Sequence, residues 1–201
     1  MKRLGILFVI SAPSGAGKST ICSSLRQTPD TVYAVSCTTR TPRAGETDGE
    51  DYHFMEATDF QRRIGAGDFL EYARVHDHYY GTLRQSIVDT LRAGTDVLVD
   101  IDVQGAKTIR KSTDPFISDS LVDIFIMPPS LEELRHRLEK RGTESAGQID
   151  FRLTNAAAEM KCWREYKYTI ISGSMEEDLT KFRAITRAER YLSRRIISLE
   201  G

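Results

Sequence analysis

An unbroken apolar run, Leu4 to Ile10, passes directly into Ala12-Pro13-Ser14-Gly15-Ala16-Gly17-Lys18-Ser19, and no other stretch limits the fold of this chain as strongly. Continuous apolar character is expected of a strand buried on both faces of a sheet. The octet after it has G-x-x-x-x-G-K-[ST] spacing with alanine in the first place, and a helix is expected to begin at Lys18. A strand, a glycine-rich turn and a helix N-terminus in this order form an anion cradle. Backbone N–H groups from Ser14 to Ser19 can wrap a phosphate, and the helix end adds partial positive charge. Ala12, Pro13, Ser14, Gly15, Ala16, Gly17, Lys18, Ser19 and Thr20 are therefore the candidate triphosphate site. Lys18 would reach the β- and γ-phosphates, and the Ser19 hydroxyl would bind Mg²⁺. A methyl group at Ala12 would crowd the turn if the backbone there needed positive φ.

Elsewhere strands alternate with helices, the pattern of an α/β fold around a mostly parallel sheet flanked by helices. After a helix over Lys18 to Leu25, a short strand is expected at Val32 to Ser36. Residues 36–82 differ in character, being polar and rich in Thr, Arg, Gly and Tyr, and read as an insertion forming a small subdomain. It would hold a strand at Phe69 to Val75 and a helix opened by Thr58 with Gln61 at capping-box spacing. The core resumes at 83–127, with a helix over Leu83 to Ala93 and strands at Asp96 to Ile101 and Leu121 to Met127. A short lid is expected at 128–159. There Ser130 and Glu133 suggest a second capping box, a charged helix runs to about Lys140, and another spans Gln148 to Trp163. Residues 160–201 return to the core with a strand at Tyr168 to Ile171 and a charged helix from about Glu176.

With 28 basic and 29 acidic residues the net charge is −1, which gives no bulk reason to expect nucleic acid or an anionic membrane as partner. Cys22, Cys37 and Cys162 are odd in number and form no C-x-x-C pair, so free thiols in a reducing compartment are expected. No apolar run is long enough for a membrane helix. Together these point to a cytoplasmic protein.

A phosphate loop does not by itself name a reaction. Asp102-Val103-Gln104-Gly105 matches the D-x-x-G of a GTPase switch, yet the single asparagine, Asn155, precedes Ala156, so the N-K-x-D motif of a GTPase is missing. The insertion is more informative. Arg40 and Arg43 lie three apart beside Pro42, where a turn could aim both guanidiniums at one phosphate. Tyr52 and Tyr80 can donate to the same group. Guanine presents two adjacent donors on its pairing edge, and the Glu71 carboxylate could accept both, with Ser36 and Thr82 on the remaining edge. Adenine would leave Glu71 unpaired, and sites built on such bonds reject the wrong partner by about 10⁴-fold.

These segments resemble guanylate kinases. The resemblance is carried by Ser36-Cys37-Thr38-Thr39-Arg40-Thr41-Pro42-Arg43-Ala44-Gly45-Glu46, Asp51-Tyr52-His53-Phe54, Phe69-Leu70-Glu71-Tyr72-Ala73 and Tyr79-Tyr80-Gly81-Thr82. Val99-Asp100-Ile101-Asp102-Val103-Gln104-Gly105 and Arg137-Leu138-Glu139-Lys140-Arg141-Gly142-Thr143 extend it, so that it runs from the first strand to about Glu159. It implies a P-loop kinase that moves the γ-phosphate of ATP to GMP, with Mg²⁺. The implied GMP site is Ser36, Arg40, Arg43, Glu46, Tyr52, Glu71, Tyr80, Thr82, Asp100 and Asp102. The implied catalytic set is Lys18 and Arg40 with the lid arginines Arg137, Arg141 and Arg152. Asp100 and Asp102, two apart at a strand end, would face one side, and Asp100 would assist Mg²⁺ through water. Where guanylate kinases usually carry Asn-Asp near the last strand, this chain has Ser172-Gly173-Ser174, beside the expected adenine position. Two alternatives stay open on the residues: a non-catalytic guanylate-kinase-like module that binds protein, and a related kinase with another phosphate acceptor.

Overall fold

The computed structural model describes residues 2–26, 31–75, 77–142 and 144–197; Thr143 and the Ser19 side chain, both of interest above, lie outside the described set. The core is a five-stranded sheet of β2 (Leu7–Ser11), β3 (Thr31–Tyr33), β8 (Asp96–Asp100), β9 (Leu121–Met127) and β10 (Tyr168–Ile171), in the order β10-β9-β2-β8-β3. Every neighbouring pair is parallel. Two further two-residue strands, β1 (Lys2–Arg3) and β11 (Ile196–Ile197), pair antiparallel.

Strand alternation divides the core in two. Leu7, Val9, Val97 and Val99 point to one face, where they pack with Ile87 and Leu91 of α3 (Arg84–Arg92) and with Val103, Ala106 and Ile109 of α4 (Val103–Arg110). Ile6, Phe8, Ile10 and Leu98 point to the other, against Ile21, Cys22 and Leu25 of α1 (Lys18–Leu25) and Phe182 of α8 (Met175–Arg190). Both faces of β2 are covered, which accounts for its unbroken apolar sequence.

Residues 37–83 build a second, four-stranded sheet from β4 (Cys37–Thr38), β5 (His53–Phe54), β6 (Phe69–Val75) and β7 (His78–Leu83), in the order β5-β4-β7-β6. Its helix α2 (Ala57–Ala66) is not opened by Thr58: Glu56 is the N-cap and supplies no side-chain bond, so Thr58 lies inside the first turn. Phe60 is fully buried in this unit, its ring stacked on Phe69 and Tyr79. Two helices, α6 (Leu131–Arg141) and α7 (Ala146–Met160), bury Leu134, Leu138, Ile149, Leu153 and Ala156 in a third apolar cluster. The Ser130 hydroxyl accepts from the Glu133 N–H as expected, but the Glu133 carboxylate turns to Arg137 instead of closing the box.

The sequence reading missed α4 and α5 (Pro115–Ser120). Asp102 was expected to continue the strand face of Asp100. Instead β8 ends at Asp100, and Asp102 is the N-cap of α4, its carboxylate accepting from Gly105 N–H at 2.8 Å. Full reciprocal capping boxes occur at two sites not anticipated, Ser145 with Gln148 on α7 and Ser174 with Glu177 on α8.

Candidate active site

The site lies where the parallel strands end. After β2, positive φ falls on Gly15 (91°) and Gly17 (96°), which glycine tolerates without strain. Ala12 raises no conflict, because its methyl group belongs to the core cluster beside Ile10 and Ala16. Gly17 is the N-cap of α1, and it offers no side chain to compete for the helix's first N–H groups. The Ser14–Ser19 donors are thereby held at a helix N-terminus.

The Lys18 ammonium bonds the Asp100 carboxylate and the Ile101 carbonyl oxygen (3.2 Å), both at the end of β8. A cavity of about 380 Å³ opens beside this pair, lined by Lys18, Cys22, Ser23, Arg26, Tyr33, Ser36, Asp51, Tyr52 and Asp100. Arg26 was missed from the sequence. Its guanidinium stacks on the Tyr33 ring at 3.7 Å from the centroid, so it faces the cavity in a fixed orientation. No motif flags it, because the pairing joins a helix end to a neighbouring strand.

In the insertion, Arg40 forks onto Glu46 with two bonds of 2.9 and 2.8 Å, and Glu46 also accepts from Arg43 N–H at 2.7 Å. This bonding holds the Glu46 carboxyl below the usual carboxylate range. Glu46 thus orders the turn that carries both arginines. The Arg40 guanidinium lies 5.5 Å from the Tyr52 ring centroid, and the Tyr52 and Tyr80 rings meet edge-on at 6.0 Å. Arg43 is exposed. Arg40, Tyr52 and Tyr80 thus form one cluster at the cavity's insertion side.

Glu71 is deeply buried on β6, and its carboxylate accepts from the Thr82 hydroxyl at 2.6 Å across the β6–β7 pair. Burial pushes its pKa up; the Thr82 bond works against that, and Asp102 adds to it. The second carboxylate oxygen faces Gly105, where a Cβ would stand 3.1 Å from it. Glu71, Thr82, Asp102 and Gly105 therefore sit together, with α4 placing its N-terminal turn against β6.

Helices α6 and α7 rest directly on the glycine-rich loop. A Cβ on Gly15 would collide with Leu138 of α6 at 2.8 Å. From α7, Arg152 donates to the Ser14 hydroxyl at 2.8 Å and pairs with Glu144 at 3.0 Å. Two turns further along the same face of α7, Glu159 accepts from the Ser14 backbone N–H at 3.3 Å. Burial raises the Glu159 pKa, with Asp102 adding to it. Glu159 too was missed, because a lone carboxylate near a helix end carries no spacing signal. Arg137 bonds Glu133 at 2.8 Å and the Ser172 hydroxyl at 3.0 Å, so the Ser172-Gly173 departure is filled by a link from lid to last strand. Gly173 N–H is taken up by the buried Asp178 at 2.9 Å. Arg141, the last residue of α6, is exposed and makes no ion pair among the described residues. Among the described residues, Arg152 is the one of Arg137, Arg141 and Arg152 that bonds the loop.

No helix is long and apolar enough to cross a membrane among the described residues. The carboxylates and hydroxyls at this site are hard oxygen donors of the kind Mg²⁺ selects. Among the described residues no three His, Cys, Asp or Glu side chains gather as a cage for a metal.

The family model described as guanylate kinase matches residues 5–189. A guanylate kinase of Caldanaerobacter subterraneus subsp. tengcongensis is 44% identical over 191 residues, covering 94% of this chain and 90% of that protein. One from Sphingopyxis alaskensis is 44% identical over 202 residues, covering 100% and 90%. The crystal structure of guanylate kinase from Anaplasma phagocytophilum superposes with a TM-score of 0.78 at 34% identity, covering 99% of this chain and 93% of that one.

Proposed function

Because the chain belongs to the guanylate kinase family, it is an ATP:GMP phosphotransferase, and we propose that the residues gathered at the sheet's C-terminal edge divide the transfer between them. The observation that carries the assignment of roles is Glu71, a buried carboxylate fixed by Thr82 with one oxygen turned away from that bond. A buried carboxylate without a matching donor is costly, and guanine N1–H and N2–H₂ supply that match where adenine cannot. Ser36 and Thr82 complete the base and sugar side of the GMP site.

The acceptor is itself a phosphate. With a second pKa near ~6 it is largely dianionic at neutral pH, so no general base is required. The work is to bring two anions into line and neutralise charge on the group in transit. Arg40, oriented by Glu46, and Arg43 hold the GMP phosphate, with the Tyr52 and Tyr80 hydroxyls donating to it. Lys18 leaves Asp100 for the triphosphate, which frees that carboxylate. Mg²⁺, when bound with ATP, would be held by the Ser19 hydroxyl and, through water, by Asp100, and would neutralise the β- and γ-phosphate charge. Asp102 fixes α4 against Glu71 from its capping position. Arg137, Arg141 and Arg152 are the lid cations for the transferring phosphoryl, and closure excludes water that would otherwise hydrolyse ATP. The reducing cytoplasm is the compartment that suits the three free thiols.

The deciding assay is coupled ADP formation with ATP and Mg²⁺, comparing GMP, AMP, CMP and UMP. Strong turnover with GMP alone is expected. Equal turnover with AMP would overturn the role of Glu71, and none with any acceptor would point to a protein-binding module. Arg152→Ala should lower kcat about 10²-fold while the GMP KM moves less than threefold, since its contact is with the phosphate loop and not the acceptor pocket. An unchanged kcat would reduce Arg152 to a link between Ser14 and Glu144.

A further inference from the structure

A second hollow lies on the other side of α1. It measures about 940 Å³ and is lined by Arg3, Leu25, Thr31, Thr180, Phe182, Arg183, Ala184, Thr186, Arg187, Arg190 and Tyr191. We infer that it is a second binding site, distinct from the catalytic cavity, for a nucleoside polyphosphate.

The charge argument rests on α8. Arg183 and Arg187 are one turn apart, both are exposed, and neither makes an ion pair among the described residues. Arg3 and Arg190 are aimed from below by the same fully buried carboxylate, Asp96, at 2.6 and 2.7 Å. Exposed arginines usually find a carboxylate on a neighbouring turn; here the two outer ones point into a concave surface instead. Guanidinium forks in such a setting match phosphate oxygens.

Charge alone does not describe the hollow. Its floor is apolar, from the buried Leu25 and Phe182, and Tyr191 stands at the end of α8 with 79% of its surface exposed. Arg183, Arg187 and Tyr191 follow at four-residue intervals, a stripe of about 12 Å along the helix, which is the reach of a triphosphate with its sugar and base. Thr186 also lines the hollow, and its hydroxyl is buried with no hydrogen-bond partner among the described residues. An unpaired buried hydroxyl is costly, and a ligand oxygen would satisfy it after one side-chain rotation. Cations at one end, a free ring at the other and an unpaired hydroxyl between them fit a nucleotide and leave a lone phosphate too small for the space.

The test is equilibrium dialysis of radiolabelled GTP with Mg²⁺, comparing wild type with Arg183→Ala/Arg187→Ala. Any GTP entering the catalytic cavity is common to both proteins, so the difference isolates the second site whether or not the roles proposed above hold. Wild type is expected to take up one equivalent more than the double variant, which keeps GMP-dependent ADP formation within twofold. Tyr191→Ala should weaken the extra equivalent about tenfold, the usual loss of one base stack. Equal stoichiometry in wild type and double variant would overturn the site. So would tripolyphosphate binding there as tightly as GTP, because the ring and floor would then contribute nothing.

Discussion

Lys18→Ala is expected to lower kcat for ADP formation by about 10³-fold or more, the largest single loss among the residues of the phosphate loop. The ammonium is the one cation set inside the loop itself, and it is already aimed at the strand end by Asp100 and the Ile101 carbonyl. Among the described residues no other cation lies inside the loop to take its place. Arg26 is anchored on Tyr33, and Arg152 is committed to Ser14 and Glu144. Charge developing on the transferring group would be left to Mg²⁺ and the lid. The change also leaves Asp100, whose side chain is only 14% exposed, without its cation, so a melting curve must accompany the assay. Lys18→Arg separates the two effects: it restores a charge for Asp100, but its planar fork cannot follow a phosphate as a point charge does. A folded Lys18→Ala protein within tenfold of the wild-type kcat would remove Lys18 from the mechanism.

The phosphate loop was legible in the sequence because local physics determines it. A buried strand, two glycines at positive φ and a helix start lie within about fifteen consecutive residues, and each leaves its own mark. The strands β9 and β10 were legible for the same reason, being apolar runs between turn signals. What escaped was decided by partners far along the chain. The stack of Arg26 on Tyr33, the reach of Glu159 to Ser14 and the bond from Arg137 to Ser172 join elements whose proximity only the topology creates. Helix α4 was lost because Asp102-Val103-Gln104-Gly105 was read for its motif and not for its cap. Val103, Ala106 and Ile109, three apart and buried, were available to be counted. Asp102 then looked like a strand residue beside Asp100, although an aspartate three residues before a close-packed glycine is equally the start of a helix. Thr58 shows the reverse error, a good spacing to which the chain did not conform, because the helix had already begun at Ala57.

Glu71→Gln should lower kcat/KM for GMP by about 10³-fold, carried mainly by KM, while leaving the fold intact. The amide can still accept from Thr82, so β6 and β7 keep their link. What it loses is the second acceptor, and its NH₂ group would confront the guanine donors. Turnover with AMP should not rise to compensate, because the Ser36 and Thr82 side of the pocket is unchanged. The charge of Glu71 gives an independent check through pH. Burial, helped by Asp102, raises its pKa, so it takes up a proton at higher pH than an ordinary glutamate. Only the carboxylate accepts both guanine bonds, and the wild-type KM for GMP should therefore climb as pH falls through this raised value. Unfolding does not explain that climb. A raised carboxyl pKa means the folded state binds the proton more tightly than the unfolded one. Its contribution to stability is thus full at low pH and lost as pH rises. Glu71→Gln should keep only the rise in GMP KM that protonation of the GMP phosphate near pH ~6 causes, a shallower pH dependence than wild type, with a melting temperature no lower than wild type. A variant that keeps the wild-type KM and its pH dependence would place guanine recognition elsewhere in the pocket.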